Sequence, residues 1–223
     1  MENLPKHLFD NEYYYKVNPD VAKAGVDGYE HYFKHGINEK RDACLNYDEL
    51  SLDELKCIYY NATPSDLNCG WINDDPFYAK SDIVTHLPVL EYYASQCSHV
   101  TELGMQNGQS TMAFLYGLPE NGLLESYDIK ETKFVTWLNN KNLNKWKFLK
   151  KDTLKNLKIN ETDLIFFSTQ IEKFEVYMEK TRKFLVFHSI NISKYSCPSK
   201  FKVIFATHAC NGLLILEKTT SKV

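Results

Sequence analysis

Residues 99–115 read HVTELGMQNGQSTMAFL, a short β-branched strand that runs into a glycine turn and then a helix. Gly104 and Gly108 allow a tight turn and let a ligand approach with no Cβ in the way, and Gln109 and Ser110 open the helix. At the carboxyl end of a strand in an open α/β sheet the loops diverge and leave a crevice, which is where ligands collect. Taken alone, the G-x-x-x-G turn is equally a plain tight connection or part of a nicotinamide-dinucleotide site, although the G-x-G-x-x-G spacing of the latter is absent. The next strand ends SYDI and places Asp128 beside the turn, where an ionised carboxylate would accept hydrogen bonds from both ribose hydroxyls of a nucleoside. After the third strand, KKDT sets Asp152 and Thr153 where an adenine amino group would need an acceptor. Helix capping is the alternative role for each aspartate.

A proton-transfer group would also be needed if this crevice performs chemistry. His188 closes the apolar run FLVFH at a strand's carboxyl end, facing the crevice, and is the candidate base. No orienting carboxylate accompanies it in the sequence, so a hydrogen-bonded structural histidine is the competing reading. Asp82 and His86, four apart at the start of a helix, would face an acceptor pocket as a pair, unless Ser81 or Asp82 simply caps that helix. Trp71, Phe77 and Tyr78 in the preceding loop would close over a sugar ring or fill the junction with the N-terminal module.

These groups require a particular order of elements. Helical patterns at 82–96, 109–117, 131–141 and 171–181 alternate with strand patterns at 98–103, 123–127, 145–149, 162–167 and 183–187. Two final strands near 201–206 and 212–217 have no helix between them. The expectation is a Rossmann-like, doubly wound α/β sheet, mostly parallel, with an antiparallel C-terminal hairpin at one edge. Ahead of it, residues 10–42 read as short helices broken at Pro19 and Gly25, with Asp27 and Glu30 as a capping box and Gly36 as a stop. Tyr29, Tyr32 and Phe33 share one helical face there, enough for a small packing unit. A second capping box, Ser51 with Glu54, starts another helix, and NATPSDLNCGWINDDP follows as a loop. The division is therefore a helical module over 1–45, a helix and connecting loop over 46–80, and the main domain over 81–223.

Composition narrows the classes. At 43% hydrophobic and 25% charged, the 223 residues suit a globular protein and are too apolar for disorder. A formal charge of -3 with dispersed cations supplies no face for a phosphate backbone, so nucleic acid is not an expected partner. No apolar run spans a bilayer and the first residues lack a secretory core, which points to a soluble, cytoplasmic protein. Six cysteines, none in a Cys-x-x-Cys pair, are expected to be reduced structural thiols.

The segment Glu102-Leu103-Gly104-Met105-Gln106-Asn107-Gly108-Gln109-Ser110, with Asp128 and Asp152 at the next strand ends, resembles class I S-adenosylmethionine-dependent methyltransferases. The resemblance extends over about residues 57–218. It implies S-adenosylmethionine as cofactor, bound by Glu102, Gly104, Met105, Gln106, Asn107, Gly108, Ser110, Asp128, Asp152, Thr153 and Ser168. Ser81, Asp82, Ile83, His86, Leu87, Pro88 and Leu90, then His99, Val100, Thr101, Glu102 and Gly104, and finally Asn211, Gly212 and Leu213 resemble one subtype. That subtype comprises sugar O-methyltransferase domains in multidomain glycan-building proteins of bacteria and large DNA viruses. The implied acceptor is a hydroxyl of a sugar nucleotide or glycan, held by Asp82, His86 and Thr169. Such relatives end the fourth strand in I-D-x-x-H and the fifth in H-D, whereas this chain has Phe167-Ser168-Thr169-Gln170-Ile171 and His188-Ser189. With both aspartates missing no tight metal site is expected, His188 remains as the base, and the alternative is an inactive scaffold for a glycosyltransferase partner. A homodimer is the other partnership considered. Phe9, Asp10, Tyr13, Tyr14, Asn18, Pro19, Asp20, Val21, Ala24, Gly25, Val26, Asp27, His31, Tyr32 and Gly36 also resemble a short helical repeat found beside glycosyltransferases, which implies a glycan-related setting and no reaction.

Overall fold

The computed structural model describes residues 6–41, 43, 51–61, 82–106, 108–153, 157–168, 174–190, 192, 196–209 and 211–219, with backbone alone at 8, 57–61, 82 and 133. The chain divides into two compact units, Met1–Ser81 and Asp82–Val223.

In the first unit α1 (Asn11–Val17), α2 (Pro19–Ala24) and α3 (Gly28–His31) are followed by a π-helical turn, Tyr32–Gly36. Each break has a local cause. Asp10 and Asp27 accept from the backbone N–H three residues on, Pro19 opens α2, and Gly25 closes it with φ 66°. Phe9, Tyr14, Val21, Tyr32 and Ala43 form the core, with Tyr29 and Phe33 against it. The helical turn ends at Gly36 as expected, and packing also demands glycine there, because a Cβ would lie 2.6 Å from Tyr14 Oη. In α4 (Leu52–Asn61) the capping box forms, with Glu54 N–H donating to Ser51 Oγ and Ser51 N–H donating to Glu54 Oε2.

The second unit is a seven-stranded sheet in the order β3-β2-β1-β4-β5-β7-β6. Its strands are β1 (His99–Leu103), β2 (Leu123–Asp128), β3 (Trp146–Lys150), β4 (Thr162–Phe167), β5 (Thr181–His188), β6 (Phe201–Thr207) and β7 (Leu213–Lys218). The first five run parallel, and β7 is antiparallel to both β5 and β6. The expected doubly wound sheet with an antiparallel edge hairpin is thus the observed one. Strand order reverses between β1 and β4, which makes that point of the carboxyl edge the topological switch.

Strand alternation sorts the side chains onto two faces. Leu103, Tyr127, Ile165, Phe167, Leu185 and Phe187 join Tyr177 of α8 (Glu175–Met178) in one apolar core. On the other face lie α5 (Leu87–Ala94) and α6 (Gln109–Gly117), with Phe184 edge-on to Tyr93 and Phe166 edge-on to Phe114. The two helices pack closely at Gly117, where a Cβ would meet the Glu91 carbonyl at 2.2 Å. Lys145 Nζ donates to the Leu115 carbonyl at the carboxyl end of α6, a favourable place for a cation. Near the turn, α7 (Lys133–Asn140) starts at Thr132, whose hydroxyl accepts from Val135 N–H.

Two predicted helices are shorter than their sequence patterns. Over 82–96 the chain forms a 3-10 turn, Asp82–His86, before α5, because Pro88 can occupy only the first turn of an α-helix. Over 171–181 the described part holds the single turn α8, since Thr181 is already in β5 and hydrogen-bonds to the Tyr177 carbonyl. Residues 171–173, residues 62–81 with the expected loop, Trp71, Phe77, Tyr78 and Ser81, and Cys44, Cys69 and Cys210 lie outside the described residues. Cys97 is a buried free thiol and Cys197 an exposed one. Among the described residues no helix is long and apolar enough to cross a membrane.

Candidate active site

The glycine turn joins β1 to α6 at the switch point. Gly104 N–H donates to the Tyr127 carbonyl, and Ser168 N–H donates to the Leu103 carbonyl at 3.1 Å, so the ladder of β2, β1 and β4 continues up to the turn. Both turn glycines are required by geometry as well as by φ. At Gly104, φ 89°, a Cβ would lie 2.1 Å from Ser168 Oγ, and at Gly108, φ 83°, it would overlap the Phe134 ring at 2.3 Å. Gln106 also adopts a left-handed φ of 50°. Asn107 lies outside the described residues.

Glu102 is wholly buried, and its carboxylate accepts from Ser110 Oγ at 2.5 Å, Thr111 Oγ1 at 2.8 Å and Ser126 Oγ at 2.6 Å. Ser126 Oγ in turn accepts from Trp146 Nε1 at 3.1 Å, so one chain of hydrogen bonds links β3, β2, β1 and the first turn of α6. Burial pushes the Glu102 carboxyl up to about 7, the three hydroxyls pull it down, and the nearby Asp128 charge raises it. The structure therefore places Glu102 beneath the turn, its carboxylate engaged by three hydroxyls. Ser110 is engaged through the same bond.

Asp128, half-buried at the end of β2, faces the turn directly. Its Oδ2 accepts from Met105 N–H at 3.0 Å and Gln106 N–H at 3.1 Å, and its Oδ1 accepts from Lys130 N–H at 3.1 Å. It does not cap α7, because Thr132 holds that position. With three of about four acceptor sites engaged, one remains for a ribose hydroxyl unless a turn N–H is released. Beside it Ile129 is 54% exposed, an apolar side chain left uncovered next to the carboxylate. Asp152 and Thr153 follow β3 in the adjacent loop, tied to the β2 end by Lys151 N–H donating to the Asp128 carbonyl at 2.8 Å.

Farther along the same edge, Ser168 and His188 stand at the neighbouring ends of β4 and β5. Ser168 Oγ donates to the Leu103 carbonyl and its backing of Gly104 explains why that residue has no side chain. His188 is buried, with Nδ1 3.3 Å from Ser189 Oγ. Its parity along β5 puts it on the α5 side, and its ring meets His86 edge-on with centroids 5.8 Å apart. The two histidines named separately from the sequence are thus neighbours. Only the backbone of Asp82 is described, and Thr169 lies outside the described residues. No three His, Cys, Asp or Glu side chains among the described residues converge as metal ligands.

Sequence reasoning missed Thr111, Ser126, Trp146, Ile129 and Phe134. A signal for Ser126 existed, since a hydroxyl inside a strand buried on both faces needs a partner, and Glu102 is its cross-strand neighbour.

This strand order, with a glycine turn at the switch point and an acid at the end of the second strand, defines a Rossmann-like α/β domain. A methyltransferase from Geobacter sulfurreducens aligns with TM-score 0.52 and 13% identity over 61% of this chain and 79% of that chain. The O-methyltransferase TomG from Streptomyces achromogenes, involved in tomaymycin synthesis and solved with SAM, aligns with TM-score 0.48 and 12% identity over 77% of this chain and 91% of that one. An O-methyltransferase from Bacillus cereus in complex with SAH gives TM-score 0.47 and 17% identity over 60% and 81%. The first of these carries the comparison, and it shows a shared fold. No family profile matches the chain, and no curated protein matches it.

Proposed function

We propose that this protein is an S-adenosylmethionine-dependent O-methyltransferase whose acceptor is a sugar hydroxyl in glycan biosynthesis. The observation that carries the reading is the pairing of the glycine turn with Asp128 on one side of the switch point and the His86–His188 pair on the other. The residues suit the cofactor. Asp128 offers an acceptor to the ribose, the uncovered Ile129 offers an apolar surface to the flat adenine, Asp152 and Thr153 stand at the adjoining loop, and the turn of Gly104 to Gly108 would lie against the amino-acid part. When bound, S-adenosylmethionine supplies an electrophilic methyl group on a sulfonium.

The chain's own contribution is positioning, exclusion of water and removal of one proton. His188 takes the acceptor hydroxyl's proton at Nε2, while Ser189 Oγ near Nδ1 and the His86 ring fix the plane of its imidazole. No carboxylate stands at the described ends of β4 and β5, where Ser168 and Ser189 occur. The base in this reading is therefore an imidazole, and the proposed mechanism does not depend on a metal. The sugar acceptor is supported by the sequence resemblance and by the N-terminal repeat.

Calorimetry with S-adenosylhomocysteine tests the cofactor assignment, with micromolar binding, about 8 kcal/mol, as the expected result. Transfer of tritium from methyl-labelled S-adenosylmethionine to a panel of methyl glycosides and sugar nucleotides tests the reaction. Binding without transfer would replace the enzyme by a scaffold, and no binding at all would refute the methyltransferase reading.

A further inference from the structure

Two buried side-chain nitrogens near the carboxyl edge, His86 Nε2 and Gln109 Nε2, find no hydrogen-bond partner, on residues 3% and 4% exposed. Buried donors and acceptors are nearly always paired, and leaving one unmade destabilises a fold, so such groups persist where something else uses them. Both stand at one place. His86 immediately precedes α5 and Gln109 is the first residue of α6, directly after the glycine turn. The 3-10 turn that ends in His86 packs against α6, and the His86 ring touches His188. The His86 ring lies toward β5, across the switch point from Asp128 on the β2 side, where the reading above places the ribose.

We infer that Gln109 and His86 hold the acceptor, and that the acceptor is a neutral, hydroxyl-rich group presenting two or more oxygens. The chemistry of the pair sets that class. A carboxamide and an imidazole each donate and accept, as a hydroxyl does, so they can meet adjacent hydroxyls in either sense. Phosphate or carboxylate is better met by the fixed positive fork of arginine. Gln109 would bind one hydroxyl and His86 its neighbour, presenting the reactive oxygen to His188. This rests on the methyltransferase reading, and it adds a residue that neither the glycine-turn motif nor the strand-end pattern assigns.

The test uses the whole chain with Gln109→Leu and His86→Phe, replacements that keep volume and, for His86, the ring contact with His188. If the two polar groups are held unpaired for the acceptor, each variant melts roughly 2–4 °C higher than wild type. Its affinity for S-adenosylhomocysteine stays within about twofold, and its KM for the best methyl glycoside of the panel rises roughly tenfold, the loss of a single hydrogen bond. A higher melting temperature with unchanged KM would show idle groups and overturn the inference. So would a lower melting temperature, which would mean structural partners, or a loss of S-adenosylhomocysteine affinity, which would move the groups to the cofactor. Wild-type protein that methylates no glycoside would instead refute the underlying reading, and this inference with it.

Discussion

Replacing Glu102 by glutamine isolates the one carboxyl that is wholly enclosed by the turn it supports. Its shift from an ordinary 4.5 to about 7 means that the folded chain retains this proton while the unfolded chain releases it. For an acid whose folded value is raised, the contribution is most favourable below about 4.5, falls as pH rises to about 7, and is constant beyond. The size of the shift corresponds to about 3 kcal/mol lost across that window. Glutamine keeps the shape and never ionises, and the hydroxyls of Ser110, Thr111 and Ser126 can rotate to meet its amide. Urea unfolding followed by the fluorescence of Trp137 and Trp146, at several pH values from 4.5 to 8, gives the stability of each protein. Other titrating groups cancel in the difference between the two curves. The difference should move by about 3 kcal/mol in favour of the variant, roughly 1–3 M in the urea midpoint, and flatten above pH 7. A flat difference, or one that moves in favour of wild type as pH rises, would show that the three hydroxyls hold the carboxylate ionised and would refute the account of burial as the dominant effect.

Gly108→Ala places a Cβ in the Phe134 ring at a positive φ, so it should destabilise by about 2–4 kcal/mol and abolish S-adenosylhomocysteine binding; adding Phe134→Ala should relieve the overlap without restoring binding. Asp128→Asn keeps an acceptor for the Met105 and Gln106 N–H groups but removes the charge, so calorimetry should show affinity lower by roughly tenfold with a melting temperature lower by only a few degrees. His188→Ala should lower methyl transfer by about 10²- to 10⁴-fold and leave S-adenosylhomocysteine affinity unchanged, with unchanged transfer removing it as the base.

The parallel sheet was legible because β4 and β5 carry short apolar runs, LIFF and FLVF, and the period change from strand to helix at Gly104–Gly108 is abrupt. The place of Asp128 was legible for the same reason, as the last residue of a strand. The partners of Glu102 were not, since an acid at the end of an apolar strand looks the same whether its side chain points into the crevice or under it. What decides is parity: Glu102 shares a face with Ser126 and meets the hydroxyls of Ser110 and Thr111, partners in three separate elements. Likewise the contact of His86 with His188 spans about half the chain, and no local pattern encodes it. α8 falls inside the helix expected over 171–181, and its end was drawn too late because the pattern continues into Thr181, which the sheet claims for β5.

The hydrogen-bond chain through Glu102 and the clamp by Asp128 act on opposite sides of the same turn. Trp146, Ser126 and Glu102 fix the first turn of α6 from within the sheet, so the helix end cannot shift without breaking buried bonds. Asp128 holds the turn from the open side through bonds that water or a ligand can replace. The rigid side therefore sets where a cofactor's amino-acid part would lie, and the exchangeable side sets what its presence changes. A ribose that takes both hydroxyl contacts from Asp128 must displace at least one backbone donor, which frees Gln106, already in a left-handed conformation, to turn its N–H toward the ligand. The strain at Gln106 and the shared carboxylate are two parts of one arrangement, in which the turn is held closed by the group that would recognise the cofactor.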